Sequence, residues 1–516
     1  MRNLFVRVTV VVAGFGVLAG GLLVATGQAQ GPAGPVVHVG RSHPVHLVRR
    51  VNAGRLPAPT HQTVITVEPA ETAPVTRAPR TTGVVPLVQK KIGAPAADAR
   101  AAAVERSSVA GLSLNGHMPP DTQLAVSPSR VVEFVNDSAE VLDHSGTVLK
   151  TFDLGTLFSG KASTGTDPKI VYDSSSKDFF ASYISKFSDD SASTVELAVT
   201  SDPTGTWFVY HVNDEKILQD QPKLGVSSDK LTMSWNDHGN SGPEEYIVIQ
   251  KAGVVAHAGT VPGTIFGPDS SRLNIVPAVQ LSASSTAIAV YHNYTSNKVG
   301  LLSFTGVPGI SPTSFTERDF TIASTSAPPG AGQPPVGMTS SPVLETGDDR
   351  LESTVWSNGT LWTAGNDVCR FKTDRASRSC LRVIKISTAQ QALERDVDIT
   401  MVGGDVMYPS VVTDARSDIW IAFSSSSTSQ FASAEVAEAP GGTIGATIGA
   451  IIYKTGTGSI NIVSPPCTTP PTTRNRFGDY SAAVIDPARK GLGIWTAEEF
   501  GVSGCNWGTQ LGAFTP

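Results

Sequence analysis

The sequence predicts an all-β chain in which one short-strand unit is repeated several times. Three observations carry that reading. Gly (49) and Pro (35) are abundant among 516 residues and charged residues make up only 16%, a mixture that suits strands joined by turns and disfavours long helices. A polar or Asp-Pro opening followed by a short apolar strand recurs, as in Asp167-Pro168-Lys169-Ile170-Val171, Asp220-Gln221-Pro222-Lys223-Leu224 and Gly478-Asp479-Tyr480-Ser481-Ala482. The openings fall near positions 120, 167, 220, 276, 350, 408 and 479, and an early spacing of about 50 residues matches a four-stranded blade with its loops. The unit therefore reads as the blade of a β-propeller. Seven blades are expected, and six stay open because the fifth unit, at Asp349-Arg350-Leu351, is the least regular.

Taken in order, residues 1–29 read as an export signal. Arg2 and Arg7 precede an uncharged apolar run at 8–26, and Gly27-Gln28-Ala29 offers small residues for cleavage. An uncleaved run of that length would instead anchor the chain in a membrane, its only predicted membrane contact. Either way the rest is expected outside the cytoplasm, secreted or held at the cell surface. Residues 30–106 carry Pro throughout, with ten basic and four acidic residues, and are expected to be a disordered, basic, Pro-rich linker. Residues 107–516 hold 27 basic and 41 acidic residues. That acidic balance excludes a nucleic-acid groove, which needs a positive surface.

Within 107–516 each opening strand is followed by a second strand bearing an aromatic: Phe134, Tyr183, Trp235, Tyr291, Trp362, Phe423 and Trp495. These are expected to fill the space between neighbouring blades rather than to stack on a ligand. The stretches 308–337 and 424–449 read as insertions. The last unit lacks a fourth strand, and residues 109–115 are expected to supply it and close the ring, which removes an exposed sheet edge. Of the four cysteines, the local pairs Cys369–Cys380 and Cys467–Cys505 are preferred as disulfides, with three connectivities open.

The Asp-Pro openings, Asp202-Pro203-Thr204-Gly205-Thr206-Trp207, the Gly-Asp-Tyr-Ser start and the closing Asn506-Trp507-Gly508-Thr509 resemble secreted bacterial β-propellers of the sialidase-like, BNR-repeat type. The resemblance covers about 110–516. It implies a propeller fold and a range of activities from glycosidase to lectin-like binder. The Asp box of that family is a turn between the third and fourth strands of a blade. Residues 200–207 place Asp and Trp as the box does, but their Gly comes one residue late.

In a propeller the residues entering each innermost strand converge on the channel rim. That places Asp121, Asp167, Asp220 and Asp479 around one axis, each of them also a candidate turn cap. Converging carboxylates must be protonated, bonded, paired with Arg or bound to a cation, and the same four are the candidate ligands for calcium, the one cofactor considered. Arg272, Arg350 and Arg476 join them as candidate ligand-binding residues. If the chain is an enzyme, the resemblance implies a sialidase-like hydrolase with a Tyr nucleophile, a Glu partner, an Asp acid/base and three arginines on the substrate carboxylate. Tyr408, Tyr480, Glu498 and Asp121 are then the candidate catalytic residues. No Gly-x-Ser-x-Gly elbow and no phosphate-binding Gly-x-x-x-x-Gly-Lys-Ser/Thr loop is present.

The leading expectation is an exported, monomeric binding or interaction module with its ligand or cation at the Asp-rich rim and a glycan or cell-envelope polymer as partner. The alternatives are a sialidase-like glycoside hydrolase and a structural envelope protein without a small ligand.

Overall fold

Among the described residues seven innermost strands set the architecture: Gln123–Val126, Gly165–Asp173, Gln219–Val226, Ile275–Pro277, Leu351–Ser357, Asp405–Thr413 and Ala482–Ile485. The computed structural model describes residues 36–60, 66–68, 77–91, 103–114, 116–161, 165–186, 192–213, 216–239, 242–293, 296–335, 343–461, 475–502 and 506–516. Each innermost strand opens an antiparallel meander of four, and successive meanders are the blades. Each innermost strand also packs against that of the next blade, and Ala482–Ile485 packs against Gln123–Val126, so the ring closes. The compact unit runs from Val37 to Pro516. No helix among the described residues is long and apolar enough to cross a membrane; the expected signal at 1–29 lies outside them.

The ring closes as expected. Val104–Ser113 pairs antiparallel with Asn506–Thr515, the outer strand that the last blade makes for itself. All seven aromatics on the second strands are buried between blades. Cys369 and Cys380 form a disulfide between neighbouring strands of the fifth blade; Cys467 and Cys505 lie outside the described residues. Residues 200–207 form the turn between the third and fourth strands of the second blade. There Asp202 accepts hydrogen bonds from Thr204, and the buried Trp207 indole donates to Pro203 O.

Two expectations need correction. The segment at 30–106 is not a disordered linker over its described length. Val37–Val39, Arg41–Ser42 and Val45–Asn52 add outer strands to the fourth, third and second blades in turn. Val84–Lys91 runs parallel between the outer strands of the fifth and sixth. The outer strand of a blade leaves one row of backbone groups unpaired, and this strap pairs with it. The prolines fall mostly between the short β-branched runs, so they punctuate strands rather than abolish them. The second correction concerns the stretches read as insertions. They contain the outer strand Ser314–Thr321 and the third strand Gln430–Ala439. Gln430–Ala439 holds four Ala and one Ser, whose small side chains are buried against neighbouring strands without a hydrophobic signature. The long connections are instead 322–350 and 455–481, both entering innermost strands.

Candidate functional site

The innermost strands enclose a central channel of about 590 Å³, within the range of small-ligand sites. Its inner part is polar, lined by Gln123, Lys169, Lys223, Glu352, Ser410 and Ser481; its middle is apolar, with Val171, Val279, Val412 and Val484. Its mouth is formed by the turns that follow the innermost strands, where Ser174, Asn358, Ser417 and Lys490 are exposed. Burial pushes the Lys169 ammonium down to about 7, and the Glu352 carboxylate acts against that fall. Lys169 Nζ sits over the Tyr480 ring.

Beyond Tyr480 the other end is closed. The residues entering the innermost strands repeat one backbone conformation: Asp121, Asp167, Gln221, Asn274 and Tyr408 all have φ between 50° and 56°, and Gly478 has φ 73°. Asp and Asn tolerate this left-handed region, whereas Tyr408 is held there against its preference. Gly478 has a second constraint: a Cβ there would collide with the Glu499 carboxylate and the Tyr408 ring.

The closed end brings together much of the expected acidic rim and adds a member from the strap. One oxygen each from Glu68, Asp121 and Asp479 lie within 4.8 Å of one another. Asp121 is fully buried, and neither of its carboxylate oxygens has a hydrogen-bond partner among the described residues. Burial, then the Asp479 and Glu68 charges, raises its carboxyl well above the usual range. Asp167 accepts from the Tyr480 hydroxyl at 3.1 Å, and burial followed by the Glu68 charge raises it too. Asp220 is pushed up to about 8 by burial and then by Asp167. The expected four-Asp cage is thus narrower than the sequence implies. Asp167 is engaged by Tyr480, Asp220 stands outside the close group, and Glu68 takes a place.

The three arginines do not converge on an open pocket. Arg272 is held among outer strands by Asp269 at 2.7 Å and Glu317 at 2.8 Å, over the Phe315 ring. Arg350 is buried against Asp348 at 3.3 Å and Gln221 at 3.0 Å. Arg476, also buried, grips both oxygens of Asp479 at 2.8 and 2.5 Å, reaches Glu345 at 3.3 Å, and has Glu68 at 3.9 Å. Tyr408 and Tyr480 are buried, and burial followed by the Asp167 charge raises the Tyr480 phenol well above its usual range, the reverse of what a nucleophile needs. Glu498 accepts from Ser481 at 2.7 Å and Ser424 at 3.3 Å inside the sheet packing.

Sequence reasoning missed Glu68, Lys169, Lys223, Glu345 and Glu352. Lys169 and Lys223 carried a signal, the shared Pro-Lys after the left-handed residue. Glu68 carried none, because nothing local ties it to a blade.

No protein-family model matches the chain, and no curated protein matches it. Solved structures with some likeness include a Hadza microbial sialidase, at 10% identity and TM-score 0.36 over 77% of this chain and 75% of that one. The Neurospora crassa Pan2 WD40 domain has 9% identity and TM-score 0.37 over 80% and 95%. A protein of unknown function from Dyadobacter fermentans has 10% identity and TM-score 0.34 over 68% and 94%. Likeness this distant says nothing about function; the propeller assignment rests on the strand pairing described above.

Proposed function

We propose that this chain is an exported, monomeric propeller that binds a small acidic, hydroxyl-rich ligand in its central channel, such as the acidic end of an envelope or extracellular glycan. One observation carries the reading: Lys169 and Lys223 line the inner part of an open channel beside the Gln123 amide and the Ser410 and Ser481 hydroxyls. The Lys223 ammonium pairs with a carboxylate, whose charge also favours the protonated form of Lys169, and amides and hydroxyls exchange hydrogen bonds with sugar hydroxyls. The candidate hydrolytic residues support binding over turnover. They are buried, and Arg272, Arg350 and Arg476 are already paired with carboxylates of the chain itself. The apolar run at 8–26 and the Cys369–Cys380 disulfide support export.

The test is calorimetric titration of the purified protein with acidic and neutral oligosaccharides. Acidic ligands are expected to bind preferentially, and Lys223→Met to weaken them about tenfold or more, the loss of one charge-assisted hydrogen bond. Equal binding of neutral sugars, or an unaffected Lys223→Met variant, overturns the reading. Turnover of a chromogenic glycoside that Tyr480→Phe abolishes would replace it with hydrolysis.

A further inference from the structure

At the closed end, carboxylates from three distant parts of the chain meet around one point. Asp121 enters the first blade, Asp479 enters the last, and Glu68 comes from the strap. Backbone bonds fix the strap there: Thr66 N donates to Gly116 O at 2.6 Å and Glu68 N to Met118 O at 2.9 Å, the short segment running parallel to His117–Met118. Thr166 Oγ1 donates to the Glu68 carboxylate. Arg476 is committed to Asp479 and Glu345. Asp121, fully buried, has two oxygens without a hydrogen-bond partner among the described residues, one of them grouped with oxygens of Glu68 and Asp479. An isolated buried carboxylate with neither proton nor partner is strongly unfavourable.

We propose that Glu68, Asp121 and Asp479 hold a hard divalent cation of the calcium class, which pins the N-terminal strap across the seam between the first and last blades. The donors are all carboxylate oxygens, with no thiolate or imidazole among them, which selects a hard cation over zinc or copper. Metal–oxygen distances of about 2.3–2.6 Å put ligand oxygens up to about 5 Å apart around one calcium, and the mutual spacing within 4.8 Å falls inside that limit. The cation would join three segments that backbone pairing at Thr66–Val67 holds only briefly. This site is separate from the channel ligand, and either can fail without the other.

The experiment uses the full chain, stripped with chelator and returned to calcium. Calorimetry is expected to show one high-affinity calcium per chain, and the melting temperature to rise by about 2–4 °C at a hundredfold excess over Kd. Amide exchange at Thr66, Val67 and Glu68 is expected to slow on binding. Asp121→Asn is expected to abolish both the binding and the melting shift; without calcium it melts no lower than the stripped parent, because a repelling charge is gone. Glu68→Gln, on the strap and outside any blade, covers the case in which Asp121→Asn does not fold, and weakens calcium about tenfold or more. Absence of bound calcium with an unchanged melting temperature overturns the proposal. So does an Asp121→Asn or Glu68→Gln variant that binds calcium as the parent does.

Discussion

At the mouth of the channel the connections leaving the innermost strands are short, and Asn358, Ser417 and Lys490 reach solvent with φ values of 48°, 65° and 56°. At the closed end Asp121, Asp167 and Tyr408 have nearly the same φ, yet all are buried. One backbone device, a left-handed residue at a strand end, therefore serves two purposes. At the mouth it turns the chain and leaves its side chain exposed. At the closed end it aims a polar side chain inward, and residues 343–350 and 475–481 together with Glu68 cover it. The difference locates accessible chemistry at the mouth and in the polar interior, and stored electrostatic energy at the closed end.

The largest effect that can break this comparison is at Arg476. Its guanidinium answers Asp479 and Glu345 in a buried setting. Arg476→Leu takes this buried guanidinium away from both carboxylates and is expected to destabilise the fold by about 3–5 kcal/mol, read as a lower urea midpoint at pH 7. A loss under about 1 kcal/mol would mean that the closed end is as forgiving as the exposed mouth, and the distinction would fall.

The contrast also explains what could be read from the sequence. The blades were legible because apolar runs, Asp-Pro openings and aromatics recur at matching places, and the closing strand at Val104–Ser113 was legible because the last unit was one strand short. The rim carboxylates Asp121, Asp167 and Asp479 were legible for the same reason of repeat position. The strap was not: Val45-His46-Leu47-Val48-Arg49-Arg50-Val51 forms a strand only because an unpaired blade edge awaits it. Nor could sequence distinguish the two ends, since that depends on which connections fold over the axis. The arginines mislead because standing next to an opening strand does not say which way a side chain turns; Arg272 turns outward to Glu317 and Arg476 inward to Asp479.

A second, smaller effect is the pH dependence of stability. Burial pushes Glu435 up to about 7, against hydrogen bonds from Ser425 and Gln89 that favour its charged form. Its folded pKa lies above the unfolded value, so its stabilisation is fully present below the unfolded pKa and is lost as pH rises through about 7. His292 acts in the opposite sense: burial pushes it down to about 4, so its contribution is present above its unfolded pKa and lost as pH falls through that value. Stability is therefore expected to peak in mildly acidic buffer and to decline towards pH 8. Glu435→Gln keeps an acceptor for the same donors and cannot ionise. It is expected to lie within about 1 kcal/mol of the parent at pH 5 and to exceed it by about 3 kcal/mol at pH 8, from about 1.4 kcal/mol per unit of pKa shift. Parallel pH profiles of parent and variant would show that this carboxyl does not titrate with folding.

The smallest effect is at the mouth. Ser417 holds φ 65° and is exposed, and its backbone N–H donates to Asp414 O at 3.0 Å to close the turn. Glycine accepts that conformation without the steric cost a Cβ incurs, and the backbone bond survives the change. The glycine also widens the unfolded ensemble, which offsets part of the gain. Ser417→Gly is thus expected to be neutral to stabilising, within about 1 kcal/mol, by urea midpoint. The same replacement at Tyr408, with φ 55°, would relieve the same strain but remove a ring buried at the closed end, so its sign should reverse. A Ser417→Gly loss comparable to that of a core residue would show that the mouth turn, too, carries a side chain with a structural task, and the two ends would no longer differ in kind.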